Sequence, residues 1–486
     1  MTTLIYAPIA LWEGHLSIAI ELCYLEVGLG NSVLMVNCRE SLASCAANPF
    51  LDKVKCNECK IQSRHLTREL LPFGVKSLFI EETDVSVFQK SLPQLRLDSL
   101  EDLERFQWDG FNFGLATLSH MSTMYRKSEP LSQDEIFQAR NLLINSLSHY
   151  LFFCEKLPKN IDKVLLWGGR RPSEAPMAFF AKKRGIPLYY FESAASDDSY
   201  YLSSNQPSHP LEIANEIMNW SQDFSKSRGS QSTAADYFKA LEEGVLSAPG
   251  YRSYAMIEKT LNLPKKLDKK RIVIFTSTAW EWKYSHLRPE IDKSEFWDMH
   301  ATIEKICLDE ELVRDFEVIV RWHPNTSSAH KSDKARVQEI ILNSGNGVEH
   351  ISYESQINSY VLLNSADIVI TMGSSIGVEA CFRSKPVILL GQCDYSNLGV
   401  AYEPRNYDEF RLLLNSPLSP LDKRGAIMWA NYRQFHGTKM KFVNGKNGRK
   451  FVGKLRVRKV SVSSVIRRVI NFLKHSLKLY LLKFND

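Results

Sequence analysis

Two apolar, β-rich runs, each cut off abruptly by polar, proline or glycine residues, constrain what this chain can fold into. The first is Phe316-Glu317-Val318-Ile319-Val320, which breaks into Arg321-Trp322-His323-Pro324-Asn325. The second is Ala366-Asp367-Ile368-Val369-Ile370, which breaks into Thr371-Met372-Gly373-Ser374-Ser375 and then Ile376-Gly377-Val378-Glu379-Ala380. Short runs rich in branched residues read as buried strands of a parallel α/β sheet, where ligands bind beyond the carboxyl ends of the strands. Arg321, His323, Gly373, Ser374, Ser375 and Glu379 are therefore candidates to line one rim. A cation, an imidazole, paired hydroxyls and a carboxylate suit a ligand that carries both phosphate and ribose.

The same alternation of strand and helix recurs along the chain. Residues 3–8 and 32–38 read as strands around a helix that starts after Trp12-Glu13-Gly14-His15. Further strands are expected at 77–82, 163–167 and 186–191, the last delivering Glu192 into a small-residue loop that contains Asp197 and Asp198. Leu263 to Lys270, with proline and charge but little apolar pattern, reads as a linker. The expected organisation is a first α/β domain over 1–262, the linker 263–270, a second α/β domain over 271–435 and a tail over 436–486. Each domain is predicted to be doubly wound, the two facing each other.

Charge is distributed unevenly. Residues 436–486 hold 14 Lys or Arg and one acidic residue, leaving 47 basic and 54 acidic residues in the body. From Val462 onward, Val465, Ile466, Val469, Leu473 and Leu477 recur at three- and four-residue steps beside Arg467, Arg468, Lys474 and Lys478. That pattern predicts a basic amphipathic helix for an anionic membrane surface. Its apolar face argues against nucleic acid. No apolar run reaches the length of a spanning helix, and the start lacks the features of a signal peptide. The expected location is the cytoplasm, peripheral on the inner face of the membrane, with reduced thiols. Cys38, Cys45, Cys56 and Cys59 fall within 22 residues and close on a CxxC. A structural zinc or iron–sulfur site is one expectation for them; a set of small buried hydrophobes is the other.

The motif residues also carry a resemblance. Arg321-Trp322-His323-Pro324, then Gly373-Ser374-Ser375-Ile376-Gly377-Val378-Glu379-Ala380 and Lys385-Pro386-Val387-Ile388, resemble the bacterial capsule polysaccharide biosynthesis glycosyltransferases. These are similar to the GT-B Kdo- and sialyl-transferases with an HP motif and a serine pair. Trp167-Gly168-Gly169-Arg170-Arg171 and Tyr190-Phe191-Glu192-Ser193 resemble their first-domain turns more loosely. The resemblance implies a GT-B-like fold and transfer of a sugar from a nucleotide-activated donor to a glycan or lipid-linked acceptor in capsule or O-antigen synthesis. A CMP-sugar is favoured as donor, with UDP or GDP as alternatives. It implies that His323 and Ser374-Ser375 grip the donor phosphate and that Glu192 is the base. Glu192 is followed here by Ser193-Ala194 and not by glycine, so Asp197 and His15 stand beside it as alternatives. With no Asp-x-Asp pair at a strand end, no catalytic metal is expected. The other functions weighed are a nucleotide-sugar epimerase of the same architecture and a non-catalytic assembly scaffold.

Overall fold

The computed structural model describes residues 1–92, 95, 97–194, 198–207, 209–224, 231–244, 263–286, 294–444 and 450–451. The first sheet is built on β1 (Thr2–Tyr6), β2 (Ser32–Arg39) and β3 (Lys76–Glu81). A small hairpin, β4 (Gln107–Trp108) and β5 (Phe111–Asn112), stands apart from it. The sheet continues with β6 (Lys163–Trp167), β7 (Leu188–Ser193) and β8 (Ser199–Ser203). The second sheet holds β9 (Lys270–Phe275), β10 (Phe316–Arg321), β11 (Val348–Ile351), β12 (Ile368–Thr371) and β13 (Val387–Leu389).

Strand order decides where a ligand can enter. The first sheet runs β14-β8-β7-β6-β1-β2-β3, where β14 is Thr438–Lys439, and only its β8 and β14 edge is antiparallel. The second runs β11-β10-β9-β12-β13, all parallel. Each is doubly wound, so successive strands depart in opposite directions from a central pair, β1/β6 in one and β9/β12 in the other. The crevice at such a switch point is the binding position that topology alone provides. The two-domain α/β architecture expected from sequence is present. The tail helix expected from Val462 onward lies outside the described residues.

Domain boundaries differ from the expected ones. Helices Pro210–Phe224 and Gln231–Glu242 fall before residue 262, yet Ile213, Ile217, Tyr237 and Phe238 pack in the core of the second sheet with Val273, Val369 and Trp429. They are amphipathic helices covering a face of that sheet, a placement that their own periodicity cannot specify. In the other direction, β14 follows the last helix of the second domain, Arg424–Phe435, and pairs with β8 of the first. The chain then passes α1 (Glu13–Gly28), where the buried carboxylate of Glu21 accepts the backbone N–H groups of Lys441, Phe442 and Val443 at 2.8–3.0 Å. A second tie joins helix Phe113–Tyr125 and the residues after it to the second domain. Ser122 Oγ donates to the Trp280 carbonyl at 2.8 Å, and Ser128 donates from its N–H and hydroxyl to buried Asp333.

Burial also sets how the fold answers to acid. His149 donates or accepts between the Asn145 carbonyl and Ser41 Oγ, His120 pairs with Ser44 Oγ, and both rings are almost fully buried. Burial lowers His149 to about 4, and burial with the charges of Arg171 and Arg170 lowers His120 to about 3. His323 and His350 are lowered to about 4 in the same way. Two buried carboxyls, Glu174 and Glu379, are raised and act oppositely, because the folded chain keeps their protons. For the four imidazoles the unfolded chain binds more protons between the ordinary histidine value and about 4, so their contribution is lost as pH falls through that window. Four such groups outweigh two. Thermal unfolding is therefore expected to move to lower temperature between pH 7 and pH 5; an unchanged midpoint would contradict the buried neutral imidazoles.

Candidate active site

The last residues of the three central strands of the second sheet are level. Phe275 of β9 pairs with Arg321 of β10 on one side and with Thr371 of β12 on the other. The segments that follow emerge side by side and are cross-tied. His323 N–H donates to Thr276 Oγ1 at 2.9 Å, and Ser374 N–H donates to Thr371 Oγ1 at 3.0 Å. The Tyr395 hydroxyl donates to the Ser374 carbonyl at 2.9 Å. These bonds bring His323 and the serine pair to one rim, at the switch point.

His323 is held in a defined tautomer. Its Nδ1 accepts the Asn325 N–H at 3.2 Å, so the ring proton sits on Nε2. Burial, with the Arg321 charge behind it, keeps the ring neutral down to about pH 4. The ring is therefore neutral at physiological pH. Ser374 and Ser375 are half-buried, and among the described residues neither hydroxyl has a hydrogen-bond partner. Ser375 is the N-cap of helix Ile376–Phe382 but its side chain caps nothing. Two uncommitted hydroxyls beside an N–H donor make a polar rim suited to phosphate oxygens.

Three residues expected on that rim are placed otherwise. Arg321 is 2 % exposed, and its guanidinium donates to the carbonyls of Trp322, Ser352 and Ser355, bracing the loop after β11. Glu379 lies in the interior, where burial raises it to about 7 and Tyr360 hydrogen-bonds to it. Its Oε2 has no partner. Gly373 does adopt a left-handed φ of 78°, but a Cβ there would stand 2.7 Å from the Trp282 ring, and one on Gly391 2.4 Å from it. The space is taken by an indole wedged between the ends of β12 and β13, fixed by its Nε1 donating to the Phe296 carbonyl at 3.1 Å. Gly373 thus serves packing and not close approach of a ligand.

The first sheet contributes a second group at its own switch point. His15, in the first turn of α1 after the β1 turn, places Nε2 2.8 Å from Glu192 Oε1. The Ser193 N–H donates to the same oxygen at 2.9 Å, and Trp167 Nε1 donates to Oε2 at 2.8 Å. The two residues weighed as alternative bases are therefore one dyad. His15 Nδ1 is buried without a partner, and with Nε2 directed at a carboxylate, Nδ1 carries the lone pair. Trp12 and Trp167 enclose the ring, with centroids 4.9 and 4.2 Å from it and 4.5 Å from each other. The Arg171 guanidinium lies 5.4 and 5.3 Å from those two indoles, and its Nη1 is buried and unpaired. Sequence reading passed over Trp12, Trp167 and Arg171 as site residues; the signal available was two tryptophans and an arginine in strand-end turns. Asp197, the third candidate base, lies outside the described residues.

The two domains approach each other beside this dyad. Tyr201, which pairs with Glu192 across β7 and β8, has its phenol pushed up by burial and by the charges of Glu192, Glu216 and Asp394. Asp394 follows β13 of the second sheet and accepts from Arg433 and Trp429 Nε1, each at 3.2 Å.

Cys38, Cys45, Cys56 and Cys59, the residues expected to hold a metal, line a common cavity. Cys38, Cys45, Cys56 and Cys59 surround about 30 Å³ together with Pro8, Ile9, Leu42 and Leu51. That room is on the scale of one water, too small for an iron–sulfur cluster. Among the described residues no three ligand-type side chains are grouped to hold a metal ion, and all four thiols are free. Burial raises the Cys38 and Cys59 thiols and takes Cys45 to about 12, favouring the protonated form over the thiolate a metal needs.

The fold is that of an α/β protein with two doubly wound sheets and a polar rim at the strand ends of the second. Residues 303–422, which include the His323 and Ser374-Ser375 segments, match the family described as capsule polysaccharide biosynthesis protein. That confirms the resemblance read from the motifs over this part of the chain. No curated protein matches. Among solved structures, the β-Kdo 2,4-transferase KpsC of Thermosulfurimonas dismutans is 15% identical with a TM-score of 0.38, covering 57% of this chain and 81% of that one. A protein described as a putative UDP-N-acetylglucosamine 2-epimerase, from Listeria monocytogenes, is 11% identical over 88% of this chain and 93% of its own, with a TM-score of 0.27. Sucrose-phosphate synthase of Thermosynechococcus elongatus is 10% identical over 89% and 94%, with a TM-score of 0.32.

The Trp282 wedge gives a stability test. Gly373→Ala and Gly391→Ala each place a Cβ inside the indole and at a positive φ, and are expected to destabilise by about 2 kcal/mol or more. Gly345→Ala, at φ 60° with open space around it, is expected to cost only about 1 kcal/mol. Equal losses in chemical denaturation would show that the wedge contributes nothing.

Proposed function

We propose that this protein is a glycosyltransferase of surface polysaccharide synthesis. It moves a sugar from a nucleotide-activated donor to a glycan or lipid-linked acceptor. The observation that carries the proposal is the pairing of two complementary groups at the two switch points: a phosphate-suited rim at His323 and Ser374-Ser375, and a His15–Glu192 dyad whose Nδ1 is buried and unpartnered. The capsule-family match over residues 303–422 supports it.

In the reaction, the bond from the anomeric carbon to the donor phosphate breaks and a bond from that carbon to the acceptor oxygen forms. His15 Nδ1 takes the proton of the acceptor hydroxyl while Glu192 holds the ring through Nε2 and stabilises the imidazolium that results. The charge that grows on the departing phosphate is met by the Nε2–H of His323 and the hydroxyls of Ser374 and Ser375. Trp12 and Trp167 offer an apolar platform to a sugar face, as aromatic rings do for partly apolar ligands. No step needs a metal bound by the cysteines. Residues 445–486, basic in sequence, would hold the protein at an anionic inner-membrane surface where lipid-linked acceptors reside.

The test separates the two rims. Release of nucleotide from CMP-, UDP- and GDP-sugars is measured with and without a glycan acceptor. His323→Ala and the Ser374→Ala/Ser375→Ala pair are expected to weaken donor binding about tenfold or more, each lost charge-assisted hydrogen bond being worth ~1.5–3 kcal/mol. His15→Ala is expected to lower kcat by about 10²–10⁴-fold with donor affinity unchanged. Glu192→Gln should lower kcat comparably, because its amide replaces an oxygen that accepts from an N–H donor and removes the group that fixes the His15 tautomer. Absence of any nucleotide binding would refute the transferase reading. Full activity in His15→Ala would remove the dyad from the chemistry.

A further inference from the structure

α2 (Lys53–Leu70) carries its apolar residues on both faces. Inside are Ser63, Leu66 and Leu70, packed toward the first domain. Outside are Val54 and Ile61, two turns apart and therefore on one line of the helix surface. The line continues into the turn that follows, Leu71–Phe73. Ile61 is 67% exposed, Leu71 63% and Phe73 51%. An amphipathic helix of a globular domain normally keeps such residues on its core face alone, so an outward apolar line calls for something to cover it.

Basic side chains outnumber acids on this stretch. Over residues 53–76 the exposed charged side chains are Lys53, Lys55, Arg64, Arg68 and Lys76, and the acids near the Val54–Ile61 line, Glu58 and Glu69, are half-exposed. None of the five has an ion-pair partner among the described residues. The acids of this stretch are only half exposed, and Asp52 is occupied as the helix N-cap on the Val54 N–H. Lys60, half-buried, is the basic residue here that is paired, to Glu40 at 2.9 Å. Unpaired cations interleaved with outward apolar side chains on a convex helix are the arrangement that lies in a lipid headgroup layer.

The patch is continuous with the point where the basic tail leaves. Phe73 packs on Tyr24 of α1 with centroids 5.0 Å apart, and Tyr24 packs on Phe442 at 5.5 Å. Phe442 belongs to the segment fixed on Glu21, and the chain beyond residue 444 holds twelve more Lys or Arg. Phe442, two residues before Asn444, therefore lies on the same side of the first domain as Phe73.

We propose that the outward face of α2 and the turn Leu71–Phe73 form a docking surface for an anionic phospholipid bilayer, acting in addition to the tail. The cavity that α2 lines through Lys55, Cys56 and Cys59 is also lined by Pro8, Ile9 and Leu11, the turn that leads to His15. Docking on this face would bring the bilayer to the first domain, which carries the dyad. Lipid binding here stands independently of sugar transfer.

The test uses the full chain, tail included, with vesicles of phosphatidylcholine with or without phosphatidylglycerol. Two variants, Arg64→Glu/Arg68→Glu and Ile61→Ser/Phe73→Ser, alter exposed side chains only, and retained nucleotide binding with an unchanged unfolding midpoint shows that they fold. With each cation near an anionic surface worth ~1 kcal/mol, the charge variant is expected to bind the anionic vesicles about 30-fold or more weakly. The apolar variant should be weakened too, and less sensitive to added salt in its deficit. A photoactivatable phospholipid in the same vesicles should crosslink to the peptide spanning 53–73. Binding of both variants equal to wild type, or crosslinks confined to the tail, overturns the proposal. So does capture of a soluble protein by this face with no vesicle binding. Transfer to a soluble glycan acceptor is assayed alongside; its absence in the wild type would refute the transferase reading and leave the lipid result untouched.

Discussion

Both candidate rims exist because each sheet is wound outward in two directions from a central pair of strands. Where β1 meets β6, and where β9 meets β12, neighbouring strands send their following segments to opposite faces, and a gap opens that no helix fills. The polar groups that remain there have no local reason to be paired. This is why the hydroxyls of Ser374 and Ser375 and the Nδ1 of His15 are uncommitted in a structure where most buried polar atoms are satisfied. The level strand ends Phe275, Arg321 and Thr371 then fix how deep the second rim lies.

Rigidity around these gaps is supplied by groups that do not face the ligand. Trp282 fills the wedge between Gly373 and Gly391, Arg321 ties the β10 end to the loop after β11, and Thr276 and Tyr395 hold the backbones of His323 and Ser374. On the first sheet, Glu192 accepts from three donors at once: His15, the Ser193 amide and the Trp167 indole. A carboxylate so engaged is poorly placed to leave for an acceptor hydroxyl, while the imidazole it orients keeps a free nitrogen. Preorganisation therefore favours His15 as the proton acceptor and Glu192 as the group that positions it.

Much of this was legible in the sequence, and the exceptions share a cause. The strands, the rim at His323 and the serine pair follow from local pattern, because an apolar run and its break are both contiguous. Arg321 was misplaced because its direction depends on carbonyls of residues 352 and 355, brought near only by β10–β11 pairing. Glu379 faces Tyr360 of another helix, a contact that helix position alone does not reveal. The His15–Glu192 pair spans 177 residues and could be named only as two separate candidates. For the cysteines the spacing was legible but the volume they surround was not.

The two ties between the domains bear on how such a site could work. The Glu21 anchor and β14 join the end of the second domain to α1 and β8, while Ser128–Asp333 and Ser122–Trp280 join the other side. Opening of the cleft must pivot on these contacts or break them. Breaking the first would uncover a carboxylate buried against three N–H groups, a cost of several kcal/mol by comparison with other buried charge partners. Breaking the other would do the same to Asp333, which is equally buried and accepts the Ser128 N–H and hydroxyl, so the two ties are alike in kind. Rotation about the Glu21 anchor keeps the exit of the tail, Phe442 and Phe73 fixed to the first domain while the second domain moves.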